Sequence, residues 1–438
     1  MFVRNLVATE TRAWHASHPR VVAVVLNWNA WRDTIACVES LLESNCVPNR
    51  IVICDNGSLD DSVARLMEWG ERRGSFVAFG APAEALDGPA SDAPLVLVRL
   101  PENGGYARGN NLGIRYAIER CEAEYVWILN NDTIVEREAL ERMIEVATAD
   151  PSVGIVGSKL LRHDAPDTIQ ALGGGYIVPI LCHDTQLGNG RKAAGVGTKP
   201  ILLDHLVGAS LLVRAEAVRR VGPIDESYFL YREETDWCIR MRRAGWKLYC
   251  CTTATVWHKQ SHSIGFKSPL HDYYAVRNML RLVWKFYPAA MPTAFGYFAV
   301  RALAPKLLRF EFARLQAVLY AYGDFVTGVT GRSERHTDRM FANSYLGSPA
   351  RPAFAQAPPA GRRPNRLAVV KGVAIALGFV LAAGLLPSAK PGGPGRGAFV
   401  GGNAARSGVR DAVRPRPGRA VGFGVDLRRR VAFDLGLP

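Results

Sequence analysis

Three short polar segments, far apart in the chain, carry the residue types that could do chemistry. They are Cys54-Asp55-Asn56-Gly57-Ser58, Asn130-Asn131-Asp132, and Glu233-Glu234-Thr235-Asp236, the last followed by His258. The first two sit directly after apolar runs, Arg50 to Cys54 and Tyr125 to Leu129. In an open parallel sheet the carboxyl ends of the strands form the ligand crevice, so Asp55, Asp132 and His258 are expected to converge there, with Glu234 close by. One carboxylate beside neutral amide oxygens, with an imidazole, suits Mg2+ or Mn2+ held largely by the phosphates of a ligand. Glu233 and Glu234 open a helical pattern, and in such a site Glu234 can serve as a general base.

Each segment also has a plainer reading. Asp55 and Asn56 suit an Asx turn ahead of a helix. Asn130 to Asp132 suits a polar turn, and the glutamate pair suits simple helix-end electrostatics. Their order along one alternating pattern is what favours a shared site. Asp236, two residues beyond Glu234, faces elsewhere, toward Arg240 one turn on. Asn27-Trp28-Asn29 ends the first strand, where carbonyl and carboxylate groups can accept from a nucleobase or ribose. The Asn103 to Asn111 loop, with Gly104, Gly105 and Arg108, opens a helix; its glycines permit close backbone approach, the helix N-terminus favours anions, and Arg108 can reach a phosphate. Neither a P-loop nor a Rossmann GxGxxG is present, which disfavours an ATPase or a dehydrogenase.

These segments need strands and helices to position them. Val21 to Leu26, Arg50 to Cys54, Leu95 to Leu100 and Tyr125 to Leu129 read as strands. Trp31 to Leu42, Ser62 to Arg72, Ala107 to Cys121 and Glu136 to Thr148 read as helices between and after them. This alternation predicts an α/β fold with a Rossmann-like, mostly parallel sheet flanked by helices. Gly74 to Ala93 lacks periodicity and reads as a surface insertion, and Gln186 to Gly197 as part of a long loop. Trp246 to Cys251 and Thr255 to Trp257 are strand-like; Glu233 to Ala244 and Leu270 to Phe286 are helical. Leu307 to Val329 is amphipathic and either lies on a membrane surface or packs on the domain. The expected organisation is an arm over 1–20, a main domain over 21–288, a helical extension over 289–332, and a largely disordered basic tail over 333–438. That tail holds one apolar segment, 367–386, marginal in length for a membrane span.

The 438 residues are 48% hydrophobic, as in globular chains, and carry a net charge of +14. Such charge draws acidic partners. No RNA- or DNA-binding fingerprint is present, so nucleic acid is not expected. The eight cysteines form no CxxC pair, which fits reduced, mostly buried thiols in a cytosolic protein, and the N-terminus does not read as a signal peptide.

Taken together, these residues resemble family 2 inverting glycosyltransferases of the GT-A fold, and within them the rhamnosyltransferase-like branch. Val24 to Asn29 resembles the family's opening strand, Asp55-Asn56-Gly57-Ser58 its nucleotide-base segment, and Asn103 to Asn111 its Asn-x-Gly-aromatic loop. Asn130-Asn131-Asp132 stands where the family has an Asp-x-Asp metal motif, and Phe229 to Asp236 where it has its catalytic base. The resemblance implies transfer of a sugar, with inversion, from a nucleotide-diphosphate donor such as dTDP-rhamnose or a UDP-sugar to a glycan or lipid-linked acceptor. It implies Asp132 and His258 as ligands of Mn2+ or Mg2+, and Glu234 or Glu233 as the base. Asn27, Asp55, Asn56, Asn103, Arg108, Asn131 and Arg277 are the implied donor-binding residues. The implied place is cytoplasmic, peripheral on an anionic inner membrane face. Two departures stand out: Asn130 replaces the first Asp, and the base segment reads Glu-Glu. A sugar-nucleotide nucleotidyltransferase and a non-catalytic nucleotide-sugar or membrane-binding module are the alternatives.

Overall fold

The computed structural model describes residues 18–88, 91–181, 183–260 and 268–333. All of them fall in one compact unit, Met1–Leu386; a second unit, Pro387–Pro438, lies outside the described residues, as do most of the N-terminal arm and the basic tail with its apolar segment 367–386.

The first half alternates as its apolar runs dictate. Strand β1 (Val21–Asn27) leads to helix α1 (Trp31–Leu42), β2 (Arg50–Asp55) to α2 (Ser62–Glu71), and β3 (Phe76–Phe79) to α3 (Pro82–Asp87). Strand β4 (Leu95–Arg99) leads to α4 (Gly105–Glu119), and β5 (Tyr125–Asn130) with the short β6 (Thr133–Val135) to α5 (Ala139–Ala149). The second half begins with β7 (Val153–Arg162) and β8 (Ile169–Leu172). Two-residue strands follow: β9 (Gly174–Gly175), β10 (Ile177–Val178), β11 (His183–Asp184), β12 (Ile201–Leu202) and β13 (His205–Leu206). Then come β14 (Ser210–Arg214), α6 (Ala215–Val221), α7 (Glu233–Arg243) and β15 (Lys247–His258). Helices α8 (Pro269–Phe286), α9 (Met291–Leu308) and α10 (Phe312–Val326) complete the described chain.

The main sheet runs β12-β15-β7-β14-β5-β1-β2-β4-β3. Strands β5, β1, β2, β4 and β3 are parallel, and β14 joins them to the parallel pair β7–β15 through antiparallel contacts. The fold is thus the expected α/β class with a mostly parallel sheet. Both faces of β1 and β2 are buried: Val22, Val24 and Val52 pack toward α4, while Val21, Ala23, Val25 and Ile51 pack toward α1, α2 and α5. Burial on both faces explains why these strands read as unbroken apolar runs. A third apolar cluster unites α8, α9 and α10 with Tyr228, Phe229 and Ile239, so the extension is seated on the segment ahead of α7.

Three readings of the sequence change. The supposed insertion over Gly74 to Ala93 contains edge strand β3 and helix α3. The two strands expected over Trp246 to Trp257 are one strand, β15, with a register shift between Cys251 and Thr255. The amphipathic pattern over Leu307 to Val329 is broken at Arg309–Glu311, where Phe310 takes a φ of +55° and separates α9 from α10.

Candidate active site

Parallel pairing in register brings the ends of β1, β2 and β5 side by side, with Asn27 opposite Asp55 and Leu26 opposite Asn130. Polar residues are tolerated there because they satisfy one another. Asn27 Nδ2 donates to Asp55 Oδ1 at 2.7 Å, and Asn27 Oδ1 accepts from the Thr34 hydroxyl at 2.7 Å. Ser58 donates its hydroxyl to Asp55 Oδ1 at 2.6 Å and its amide to Oδ2 at 3.1 Å. Asp55 is therefore a carboxylate fixed on one oxygen by two side chains. Asn131 Nδ2 donates to the same Thr34 hydroxyl at 3.0 Å. A hydrogen-bonded path thus runs from Asp55 through Asn27 and Thr34 to Asn131, next to Asp132.

Asp132 meets His258 across the β5–β6 turn and the end of β15. Its Oδ1 lies 3.1 Å from His258 Nε2, and the two residues are 7% and 9% exposed. The His258 Nδ1 lies 3.0 Å from Gln170 Oε1. A carboxamide oxygen only accepts, so Nδ1 donates to Gln170 and Nε2 is the nitrogen directed at Asp132; in the neutral imidazole that Nε2 has a lone pair to offer a cation. Asn130 Nδ2 stands 3.4 Å from the same Nε2. Next in sequence, Lys259 donates its amide to the Asp132 carbonyl at 2.9 Å and pairs its ammonium with Asp33 at 2.7 Å, pinning the end of β15 to α1. Two electron-pair donors facing each other in a nearly dry position form a donor set that suits a cation between them. Among the described residues no group of three or more His, Cys, Asp or Glu that could hold a metal ion is gathered. A cation held by Asp132 and His258 would need most of its ligands from water and a bound phosphate, as Mg2+ and Mn2+ accept.

The Gly-rich loop is held by Asn56, whose side chain donates to Asn103 Oδ1 at 3.0 Å and the Gly105 carbonyl at 3.1 Å, and accepts from the Gly104 amide at 3.1 Å. Asn56 and Asn103 thus shape the loop from within. Arg108, on the first turn of α4, is partly exposed and pairs with Glu102 at 3.2 Å. Gly105 has a φ of +86°, and a Cβ there would lie 2.2 Å from the Phe229 carbonyl oxygen. The Tyr106 amide donates to that same carbonyl at 3.0 Å. The donor-side loop and the glutamate-bearing segment are therefore in direct contact.

That segment is conformationally unusual. Phe229, Tyr231 and Arg232 have φ values of +67°, +65° and +79°, a region that L residues avoid. Helix α8 holds them there. Asn278 Nδ2 donates to the carbonyls of Tyr228, Leu230 and Tyr231 at 2.9, 2.7 and 3.1 Å. Arg277 is 1% exposed and binds Asn278 Oδ1, the Tyr273 hydroxyl and the Tyr228 carbonyl. Its guanidinium stands with this loop and not with Asp132. Asp236 binds Arg240 at 2.7 Å, Lys285 at 2.6 Å and the Tyr228 hydroxyl at 3.0 Å.

The two glutamates differ. Glu233 is 3% exposed, and its Oε2 has no hydrogen-bond partner. Burial, reinforced by the charge of Glu234, pushes its pKa well above the usual carboxylate range. Glu234 is partly exposed, and burial raises its pKa as well. The Tyr106 phenol is raised by burial and then by the charges of Glu234 and Glu233, and it donates to the Gly208 carbonyl at 2.7 Å. The neighbouring Ala209 carbonyl accepts from the Asn130 amide at 3.1 Å, which ties this side of the site to the end of β5. Sequence reasoning missed Gln170 and Lys259 as parts of this arrangement. Tyr106 lies inside the Asn103 to Asn111 motif, and Asn278 beside Arg277 on a helix that resembles one near the donor or acceptor in the family, but neither is given this structural part; a lone Gln170 on a short strand gives no signal.

Comparison with known proteins bears on the domain that carries part of this site. The glycosyl transferase family 2 model matches residues 22–221. The low-salt glycan biosynthesis hexosyltransferase of Haloferax volcanii is 24% identical over 40% of this chain and 56% of its own length. The dTDP-rhamnosyl transferase RfbF of Shigella flexneri is 26% identical over 43% of this chain and 63% of its own. The chain thus spans about three fifths of these curated relatives. An N-acetylglucosaminyl-diphospho-decaprenol L-rhamnosyltransferase of Mycobacterium tuberculosis is 43% identical over a shorter stretch, 14% of this chain and 20% of its own. A mannosyltransferase structure from Pyrobaculum calidifontis is similar at a TM-score of 0.42 and 15% identity, over 85% of this chain and 88% of its own. Glu233, Glu234 and His258 lie beyond the residues that the family model matches. With Asp55, the Gly-rich loop and Asp132 all inside them, residues 22–221 are a glycosyl transferase family 2 domain.

Proposed function

We propose that the protein transfers a sugar from a nucleotide-diphosphate donor to an acceptor hydroxyl, with inversion. The observation that carries this reading is the Asp132–His258 pair, with His258 Nδ1 bonded to Gln170 and with Asn131, the chain neighbour of Asp132, linked through Thr34 and Asn27 to Asp55. In this reading Asp55 accepts from the nucleobase or ribose, and Asn27 and Ser58 fix its orientation. Asn56 and Asn103 hold the Gly-rich loop against the donor, and Arg108 adds positive charge beside the diphosphate. Asp132 and His258 would hold Mn2+ or Mg2+, which as a Lewis acid offsets the negative charge of the leaving diphosphate. Glu234 takes the proton of the acceptor hydroxyl as that oxygen bonds to the anomeric carbon and the bond to the diphosphate breaks. Burial raises its pKa above the ordinary carboxylate value, which makes it a stronger base than an exposed glutamate. Glu233, buried and with an unpartnered oxygen, is the alternative base.

The printed functions of the relatives favour a hexose or rhamnose donor, such as dTDP-rhamnose or a UDP-sugar, and a glycan or lipid-linked acceptor. The net charge of +14 favours a peripheral position on the anionic cytoplasmic face of a membrane. No described helix is long and apolar enough to cross a membrane. Calorimetric titration of dTDP-rhamnose and UDP-sugars with and without Mn2+ tests the reading. Asp132→Ala is expected to weaken Mn2+-dependent donor binding by about tenfold or more. Unchanged metal dependence in that variant would contradict it.

A further inference from the structure

The C-terminal helices leave an apolar corner uncovered. Among the described residues, large hydrophobic side chains that are well exposed concentrate on α9 and the turn into α10: Tyr297, Val300, Leu307, Leu308, Phe310 and Phe312. Leu308, Phe310 and Phe312 are 78%, 73% and 64% exposed, and the two phenylalanine rings stand 6.2 Å apart. Large apolar side chains are mostly buried, yet Phe310, at a backbone φ of +55°, is exposed. The turn is not loose. Its Glu311 amide donates to the Lys306 carbonyl, and Lys306 and Arg314, one on each helix, both pair with Asp272 of α8 at 3.3 and 2.6 Å.

The exposed charge beside these apolar side chains is positive. Helix α9 contains no acidic residue; Arg301 and Arg309 are exposed beside the apolar side chains, and Glu311 pairs with Arg314 at 2.6 Å. An exposed apolar patch flanked by arginines, on helices too short and too polar to span, has the chemistry of an interfacial anchor. We propose that the α9–α10 corner inserts Leu307, Leu308, Phe310 and Phe312 into the interfacial region of an anionic bilayer, with Arg301 and Arg309 on the headgroups. This deepens the membrane part of the proposed function and rests on it for the source of the acceptor. The same helices are fastened to α8, whose Asn278 holds the loop ahead of Glu234, so an anchored corner is rigidly linked to the base segment.

The test uses the full chain and co-sedimentation with phosphatidylcholine vesicles, with and without phosphatidylglycerol. Wild type is expected to pellet with the anionic vesicles. The surface variant Leu308→Ser/Phe310→Ser/Phe312→Ser is expected to lose about tenfold or more in partitioning. Arg301→Glu/Arg309→Glu is expected to abolish the preference for phosphatidylglycerol. Wild-type partitioning in the triple variant would overturn the proposal and leave the basic tail as the anchor. So would light scattering that shows a wild-type dimer made monomeric by the triple variant, since the corner would then bind a second copy. Donor turnover in vesicle-free solution is measured in parallel. Turnover with corner-independent binding defeats only this proposal, whereas corner-dependent binding without turnover defeats only the enzymatic reading.

Discussion

Asn278→Ala tests how the base segment is held. The Asn278 side chain supplies hydrogen bonds to three carbonyls in a stretch where three residues have positive φ. In the alanine variant the Tyr228 carbonyl keeps its bond from Arg277 at 3.1 Å, whereas the carbonyls of Leu230 and Tyr231 lose this donor. An acceptor left unpaired in a mostly dry position costs about 1–3 kcal/mol, so two cost about 2–6 kcal/mol if the loop stays in place. The loop need not stay. A positive φ at a non-glycine residue costs about 1 kcal/mol or more, and relaxing it recovers part of the loss while moving Glu234. The expected outcome is a destabilisation of about 2–4 kcal/mol, read as a lower urea midpoint, and a fall in kcat of about 100-fold. Donor affinity should fall far less than kcat, because none of Asn278's bonds reaches Asp55, Asp132 or His258 and the loop meets the donor side only through Gly105 and Tyr106 on the Phe229 carbonyl. A variant with wild-type midpoint and kcat would refute the claim that α8 positions the base.

Other perturbations follow from the same geometry. Glu233→Gln should raise Tm at neutral pH. A carboxyl whose folded pKa lies above its unfolded value costs stability as pH rises from the unfolded toward the folded pKa, so the gain over wild type should grow across that range and vanish in acid. Gln170→Ala removes the acceptor that fixes the His258 tautomer and should weaken Mn2+ binding by about 10–100-fold, measured by calorimetry in the presence of the donor nucleotide. Gly105→Ala, which places a methyl 2.2 Å from the Phe229 carbonyl at a φ of +86°, should lower stability by about 2 kcal/mol or more in denaturant unfolding.

Much of the parallel half was legible because strands buried on both faces must read as apolar runs, and because polar residues that interrupt such runs sit at strand ends. Asp55, Asp132 and His258 were found that way, and Asp132 and His258 do meet. What could not be read depends on contacts between distant segments. Gln170 acts only because β8 pairs with β7 beside β15. Asn278, paired with Arg277 by resemblance to a helix near the donor or acceptor, binds instead the loop over Tyr228 to Arg232, a contact that no local pattern reveals. Arg277 next to it read as a cation for phosphate, yet its bonds all run to α8 and that loop. The break between α9 and α10 follows Pro305 in the last turn of α9 and turns at Phe310, whose φ of +55° the local pattern does not announce; Lys306 and Arg314 on either side both pair with Asp272. Edge strand β3 is four partly exposed residues, too short for a period to emerge.

The measurement closest to the centre of the account is steady-state turnover of Glu234→Gln beside its donor affinity, across pH. Wild-type turnover should fall as pH drops through the raised pKa of Glu234, since only the charged carboxylate can take the acceptor's proton. Glu234→Gln should bind the nucleotide sugar as wild type does and lose about 100-fold or more in kcat, with that acid limb gone. Wild-type kcat with an unchanged pH profile in this variant would contradict the assignment of the base.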